Sequence, residues 1–287
     1  MSEVIFSPRA KKKKKTRLLI LTALFVTVIV FSIFLIKYYD LKRNDVFSSV
    51  TYVKRVVEPV EVRDYSLLTN IIEKIIAKYP STDISVAYSN NDYDGLITAG
   101  SDKAMIAAST AKLLVAADFL HQVELGKYSL EQQVGGSSAR WQLRQMLQQS
   151  NNNSWKTFNN LLTYQQENIY ADSIGVPSYD SITNTVKVKE LVSFMKKLYN
   201  GEILNEEHTS LMLYYLQNTN NETLIPPALP GYKVMHKYGS LNSYLHDVAI
   251  AEKDEHLFFL GVYTSGGAER ITAIQEIAKA VKAFEEK

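Results

Sequence analysis

Three short elements of this chain combine side chains that could carry out nucleophilic chemistry. The first is Ser109-Thr110-Ala111-Lys112, at the start of an apolar run expected to be helical. A spacing of three puts hydroxyl and amine on one helical face. A serine at a helix N-terminus meets the positive end of the backbone dipole, which favours an oxyanion forming beside it. A lysine whose proton affinity is lowered by burial can take the hydroxyl proton. The spacing alone is weak evidence, because Ser193-Phe194-Met195-Lys196 has the same letters inside an amphipathic stretch, where a solvated lysine is expected. Ser109 is set apart by position, with the apolar Met105-Ile106-Ala107-Ala108 leading directly into its helix.

The second element, Ser150-Asn151-Asn152, stands in a polar tract between helical stretches. A serine hydroxyl and an asparagine amide there could relay a proton and hold a substrate amide. Taken alone, the triplet also fits simple helix capping by Ser150 or Asn151. The third, Lys237-Tyr238-Gly239-Ser240, closes a strand-like run. Its lysine could attract an anionic substrate, and a glycine permits close backbone approach. A strand ending in a turn with one exposed lysine fits the same letters.

These elements need a scaffold, and the hydrophobic pattern outlines one. Leu67, Leu68, Ile71, Ile72, Ile75 and Ile76 form a helical stripe over 65–79, ended by Pro80. Strand-like runs at 84–89 and 95–99 flank the turn residues Asn90-Asn91-Asp92. Helices are predicted over 107–123, 138–146, 155–164 and 187–198, strands over 233–236, 244–251 and 256–264, and a closing helix over 268–284. The order implies an α/β fold of the α+β type. One antiparallel sheet would be flanked by the terminal helices, with an inserted all-helical lobe and a site in the cleft between them.

Composition narrows the class. The chain has no cysteine, which removes disulfides, thiolate catalysis and cysteine-based metal sites. Net charge is +2, with an unbroken run from Lys11 to Lys15 near the start, and nothing suggests a nucleic-acid surface. Residues 18–36 are almost wholly apolar, long enough to span a bilayer. Lysines on the N-terminal side place that end in the cytoplasm, and Tyr38 and Tyr39 suit the opposite interface. No small-x-small cleavage site follows, so an uncleaved anchor is expected rather than a signal peptide. The expected organisation is a cytoplasmic tail at 1–16, a transmembrane anchor at 17–37, a juxtamembrane stalk at 38–63 and an extracytoplasmic domain at 64–287.

In combination the three elements change meaning. Ser-x-x-Lys, Ser-x-Asn and Lys-x-Gly, in that order, form the signature set of penicillin-binding proteins and class A β-lactamases. The chain resembles the class A β-lactamase catalytic domain over about 64–287. The resemblance extends to Leu113-Leu114-Val115-Ala116-Ala117, Glu124-Leu125-Gly126-Lys127, Leu198-Tyr199-Asn200-Gly201, and Ile225-Pro226 with Leu229-Pro230. It implies that Ser109 is acylated, that Lys112 is its general base and that Ser150 passes a proton to the leaving nitrogen. Asn152 would bind the substrate amide and Lys237 the substrate carboxylate, with Gly239 allowing close approach. The backbone N–H groups of Ser109 and Ser240 would form the oxyanion hole. No cofactor or metal is implied, and the partners would be a β-lactam or a peptidoglycan peptide.

The chain also departs from that family. The Glu-x-x-Leu-Asn loop that activates the deacylating water is not found; the shortened stretch 167–185 offers Glu167, Asp172 and Asp180. Glu167 could be the base, but solvation at the surface is the stronger expectation. Tyr238 replaces a small hydroxyl residue, with Ser240, Ser243 or His246 as substitutes, and Asn151 replaces an acidic one. The expected function is a serine acyl-enzyme with slow deacylation. The alternatives are a D-Ala-D-Ala peptidase relative and a non-catalytic wall scaffold.

Overall fold

The computed structural model describes residues 63–93 and 95–287. The expected tail, anchor and stalk, up to residue 62, lie outside the described residues. Among those described, no helix is long and apolar enough to cross a membrane.

Helix α1 (Tyr65–Ile76) starts where the Asp64 carboxylate accepts from Ser66 N, and it buries Leu68, Ile72 and Ile75. Strands β1 (Thr82–Asn90) and β2 (Ile97–Gly100) form the expected hairpin. At the far end of the chain, β7 (Lys233–Leu241), β8 (Tyr244–Lys253) and β9 (His256–Gly266) run antiparallel, and α8 (Arg270–Glu285) closes the fold. The five strands make one sheet in the order β2-β1-β9-β8-β7, so both ends of the chain build it together. α1 and α8 share one face, where Ile72, Ile274, Ile277 and Val281 meet Leu260 and Val262 in a continuous core. The buried Glu285 carboxylate ties that corner together, accepting from Arg63 Nη1 at 2.9 Å and from the Tyr88 hydroxyl.

The opposite face carries α6 (Val188–Tyr199). Side chains alternate along a strand, so Gly261, between Leu260 and Val262, points at α6. A Cβ there would lie 2.5 Å from Val188 Cγ2 and 2.8 Å from Val192 Cγ2. The missing side chain lets the helix lie directly on the sheet.

Between the hairpin and the last three strands lies the helical lobe. It comprises α2 (Lys112–Glu124), α3 (Ala139–Leu147), α4 (Asn152–Leu162), α5 (Tyr164–Ser173) and α7 (Glu206–Tyr215). α2 is buried on nearly all sides, the mark of a helix that others pack around. It contacts α3, α4, α5 and α7.

Sequence and structure differ in instructive places. The stretch predicted as one helix over 155–164 begins earlier, at Asn152, and breaks at Thr163, whose φ is 69°. α7 has no counterpart in the predicted elements: it is buried on most sides, from His208 to Leu213, and leaves no apolar stripe to read. A two-stranded pair, β3 (Met105–Ile106) with β6 (Thr185–Val186), was likewise too short to show.

Gly261→Ala should overpack the α6 contact, lowering stability by about 1–3 kcal/mol. Thermal unfolding of the variant against the unaltered chain checks this, and equal midpoints would refute the close approach.

Candidate active site

Ser109 sits in a 3-10 helix, Ala108–Ala111, one turn ahead of α2. Ala108 before it has φ 50°, a left-handed backbone that costs a non-glycine residue about 1–2 kcal/mol. Surrounding contacts hold it there. Asn184 Nδ2 donates to Ala108 O at 3.1 Å, and Ala107 N donates to Asn184 O at 2.7 Å. From the sheet, His246 Nε2 reaches Ile106 O at 2.8 Å, and Thr110 Oγ1 meets the buried Tyr263 hydroxyl.

Lys112 is the first residue of α2 and is 0% exposed. Its Nζ lies 3.0 Å from Ser109 Oγ, 2.6 Å from Ser150 O, 2.7 Å from Asn152 Oδ1 and 3.3 Å from Ser150 Oγ. Burial lowers its pKa from 10.5 to about 7. A neutral amine has two N–H bonds and one lone pair. If the two bonds go to Ser150 O and Asn152 Oδ1, the lone pair is left for the Ser109 hydroxyl.

The second element is shaped for this. Ser150 also has a left-handed backbone, φ 53°, which turns its carbonyl and hydroxyl to the lysine. Asn151 is the helix cap, its Oδ1 accepting from Ser154 N at 3.0 Å. Asn152, one residue on, is released from capping and faces Lys112.

Lys237 reaches the same hydroxyl from β7, its Nζ donating to Ser150 Oγ at 2.9 Å and to Tyr238 O at 3.1 Å. It is fully buried rather than exposed. Burial, and then the charge of Lys112, push its pKa well below the usual lysine range. Gly239 presses on the nucleophile's turn: a Cβ there would lie 2.7 Å from Ala107 O and 3.1 Å from Ser109 N. β7 is an edge strand, and His236 N donates outward to Leu216 O at 2.8 Å. By the two-residue repeat, the amide of Ser240 points off the same edge, on the side of Ser109.

The structure thus brings Ser109, Lys112, Ser150, Asn152, Lys237 and Gly239 together, with Ser240 the next residue of β7. His246 is a correction: its Nδ1 accepts from Thr264 N at 3.0 Å, its ring stacks on Tyr263, and burial lowers its pKa to about 4. It is a neutral strut with both nitrogens engaged, not a substrate contact. Tyr238 packs against the sheet core, its ring 4.4 Å from Lys237 Nζ. Ser240 remains exposed at the strand's end.

Lys196 is also corrected. It is half-buried, and its Nζ donates to Asn90 O at 2.7 Å and Tyr93 O at 3.0 Å, bracing α6 against the hairpin. Sequence reading missed the buried pair behind Lys237. There His236 Nδ1 lies 2.8 Å from Asp247 Oδ1, and this carboxylate's Oδ2 accepts from Ile225 N at 3.0 Å. Despite opposing burial, the carboxylates of Asp247 and Glu222 raise the His236 pKa to about 9. Neighbouring strand residues point to opposite faces, so no local pattern marks such a pair.

Glu167 is not solvated. It is 2% exposed, inside α5, and burial followed by the charge of Asp118 raises its pKa to about 8. Its nearest polar partner is the Tyr179 hydroxyl, 3.5 Å from Oε2. Asp180 accepts from Ile182 N at 2.8 Å in an exposed turn, and Asp172 is exposed. Among the described residues no carboxylate hydrogen-bonds Ser109 or Lys112. A carboxyl whose folded pKa is raised favours the fold fully below its ordinary pKa of about 4.5, and that contribution is lost as pH rises through about 8. Glu167→Gln cannot ionise, so it should gain on the unaltered chain by roughly 1–3 kcal/mol at pH 9 and little at pH 5. Urea unfolding at both pH values checks this; equal differences would place Glu167 in water.

The sequence profile of the Beta-lactamase enzyme family matches residues 67–284. No curated protein sequence matches the chain. Among solved structures, PBP-A superposes with a TM-score of 0.73 at 20% identity, covering 80% of this chain and 100% of its own. A point mutant of PBP-A, solved as its acyl-enzyme complex with penicillin G, gives 0.72 at 20% identity, covering 77% and 97%. A β-lactamase from Xanthomonas campestris pv. campestris gives 0.71 at 17% identity, covering 78% and 99%. With the profile spanning well over half of its length, this chain is a member of the Beta-lactamase enzyme family and a β-lactamase-like serine hydrolase.

Proposed function

We propose that the protein is an extracytoplasmic serine acyl-enzyme, acylated at Ser109 by β-lactams or by acyl-D-Ala-D-Ala-like amides and slow to release the acyl group. One observation carries the reading. Lys112 has acceptors for two N–H bonds and stands 3.0 Å from Ser109 Oγ, while no carboxylate among the described residues hydrogen-bonds either group. The first contact supports acylation, and the lack of such a carboxylate among the described residues supports slow release.

In the first step Ser109 Oγ attacks the carbonyl carbon and its proton passes to Lys112 Nζ. The oxyanion accepts from the N–H groups of Ser109 and Ser240. The C–N bond breaks as the Ser150 hydroxyl gives its proton to the leaving nitrogen, and Lys112, 3.3 Å away, restores it. Lys237 holds the substrate carboxylate and stabilises the alkoxide character of Ser150. Asn152 shares its amide between Lys112 and the substrate. Release then needs a water, and among the described residues no carboxylate hydrogen-bonded to Ser109 or Lys112 is there to activate it, so the ester persists. The PBP-A mutant solved with penicillin G bound as an acyl-enzyme supports penicillin as a probe.

A D-Ala-D-Ala peptidase relative is the second reading, favoured by the same lack of a hydrogen-bonded carboxylate among the described residues. The basic tail at 1–16, the anchor at 17–37 and the stalk at 38–63 would hold 64–287 outside the cytoplasm, beside peptidoglycan. Protease added to intact spheroplasts should remove that domain; complete protection would refute the orientation.

Intact-protein mass spectrometry of the full chain with benzylpenicillin tests the chemistry. A persistent adduct is expected, absent in Ser109→Ala, slowed by roughly 10²-fold or more in Lys112→Ala and unchanged in Lys196→Ala. Its rate of formation should climb with pH through about 7, where Lys112 loses its proton, and then level off. A brief adduct with accumulating penicilloate would replace slow release by efficient β-lactam hydrolysis. No adduct would reject β-lactams as acyl donors.

A further inference from the structure

Trp155 has no part in the acylation scheme, yet it stands at the scheme's centre. Its ring centroid lies 5.1 Å from Lys112 Nζ. Its Nε1 is buried without a hydrogen-bond partner, although a buried indole N–H usually finds an acceptor. The helix explains the placement. Asn151 caps α4, and Asn152 and Trp155, three residues apart, share one face of it. Asn152 holds Lys112 by a hydrogen bond of 2.7 Å, and Trp155 covers it with a ring.

We propose that Trp155 is a positioning residue for Lys112: its indole closes the flank of the amine that the hydrogen bonds leave open. In doing so it keeps water from the amine and from the ester at Ser109. The second half of this inference rests on the acyl-enzyme reading, and the first half does not.

Two effects of the ring oppose each other. A cation over an indole face is attracted to it, which favours the ammonium by roughly 0.4–1.5 pH units. Exclusion of water disfavours the ammonium, and burial carries Lys112 from 10.5 to about 7, so exclusion wins. The other groups facing Lys112 do not reverse this. Ser109, Ser150 and Asn152 are neutral, and Lys237 from β7 is a second amine. Asp247 is occupied with His236 and Ile225 N.

The test uses the full chain with Trp155→Phe and Trp155→Ala, reading the pH midpoint of benzylpenicillin labelling and the lifetime of the adduct. In parallel, Lys112 is titrated by NMR with carbon-13-labelled lysine, its resonance assigned by its loss in Lys112→Arg. Trp155→Ala should raise the Lys112 midpoint by about one pH unit and shorten the adduct lifetime by roughly 10-fold. Trp155→Phe, which keeps an apolar wall, should stay near the unaltered chain. Unchanged midpoint and lifetime in Trp155→Ala, or a Phe variant matching the Ala variant, would overturn the proposal. Should Trp155→Ala lose cooperative unfolding, Trp155→Gln, which also admits water, takes its place under the same criteria. If no adduct forms on the unaltered chain, the acyl-enzyme reading fails, and the NMR midpoint alone decides the role of Trp155.

Discussion

Everything at this site hangs on how a buried amine is kept useful. A lysine side chain sealed from water loses proton affinity, but it becomes a base for one particular hydroxyl only if its N–H bonds are directed elsewhere. Here a backbone carbonyl and an amide oxygen, at 2.6 and 2.7 Å, receive them. Both acceptors come from the short junction between α3 and α4. That junction depends on the left-handed backbone of Ser150 and on Asn151 taking the capping duty. The helical lobe therefore supplies orientation to a group whose nucleophile is braced by the sheet.

Charge is partitioned between the two parts of the domain. The cleft holds two buried lysines joined through one hydroxyl, and among the described residues no carboxylate is hydrogen-bonded to either. Buried carboxylates lie elsewhere: Asp118 and Glu167 inside the helical lobe, Asp247 behind β7 against His236, and Glu285 at the terminal helix. Such a cleft lacks the negative charge that an anionic substrate brings. Burial, rather than a neighbouring charge, lowers the proton affinity of the base, so the chemistry depends on how well the cleft is closed.

The scaffold was legible in the sequence wherever one face of an element is buried and the other wet. The stripe from Leu67 to Ile76 and the last two strands were found within a few residues of their bounds, while the strand expected over 233–236 runs on to Leu241. α7 escaped because burial on most sides erases periodicity, and the break at Thr163 because a single left-handed residue leaves no compositional mark. The site elements were readable only in combination, since each triplet also fits a cap or a turn. Indeed Asn151 caps a helix while its neighbours on both sides touch Lys112. Glu167 was misjudged, and His246 left open, for one shared reason. Burial of a titratable side chain is decided by tertiary partners, Asp118 and Tyr179 for one and Ile106 and Thr264 for the other, all distant in sequence.

The fit of Gly239 against the turn at Ala107–Ser109 bears on how this protein can diverge. The two segments interlock so closely that neither tolerates an added atom while the other stays as it is. Ala108, with φ 50°, is closed to β-branched replacements as well. Single-step mutational routes through the floor of the cleft are therefore blocked. New substrate preferences must be acquired outside that contact, at exposed positions such as Ser240 and Leu241 at the end of β7, which can change one at a time without disturbing the turn beneath them.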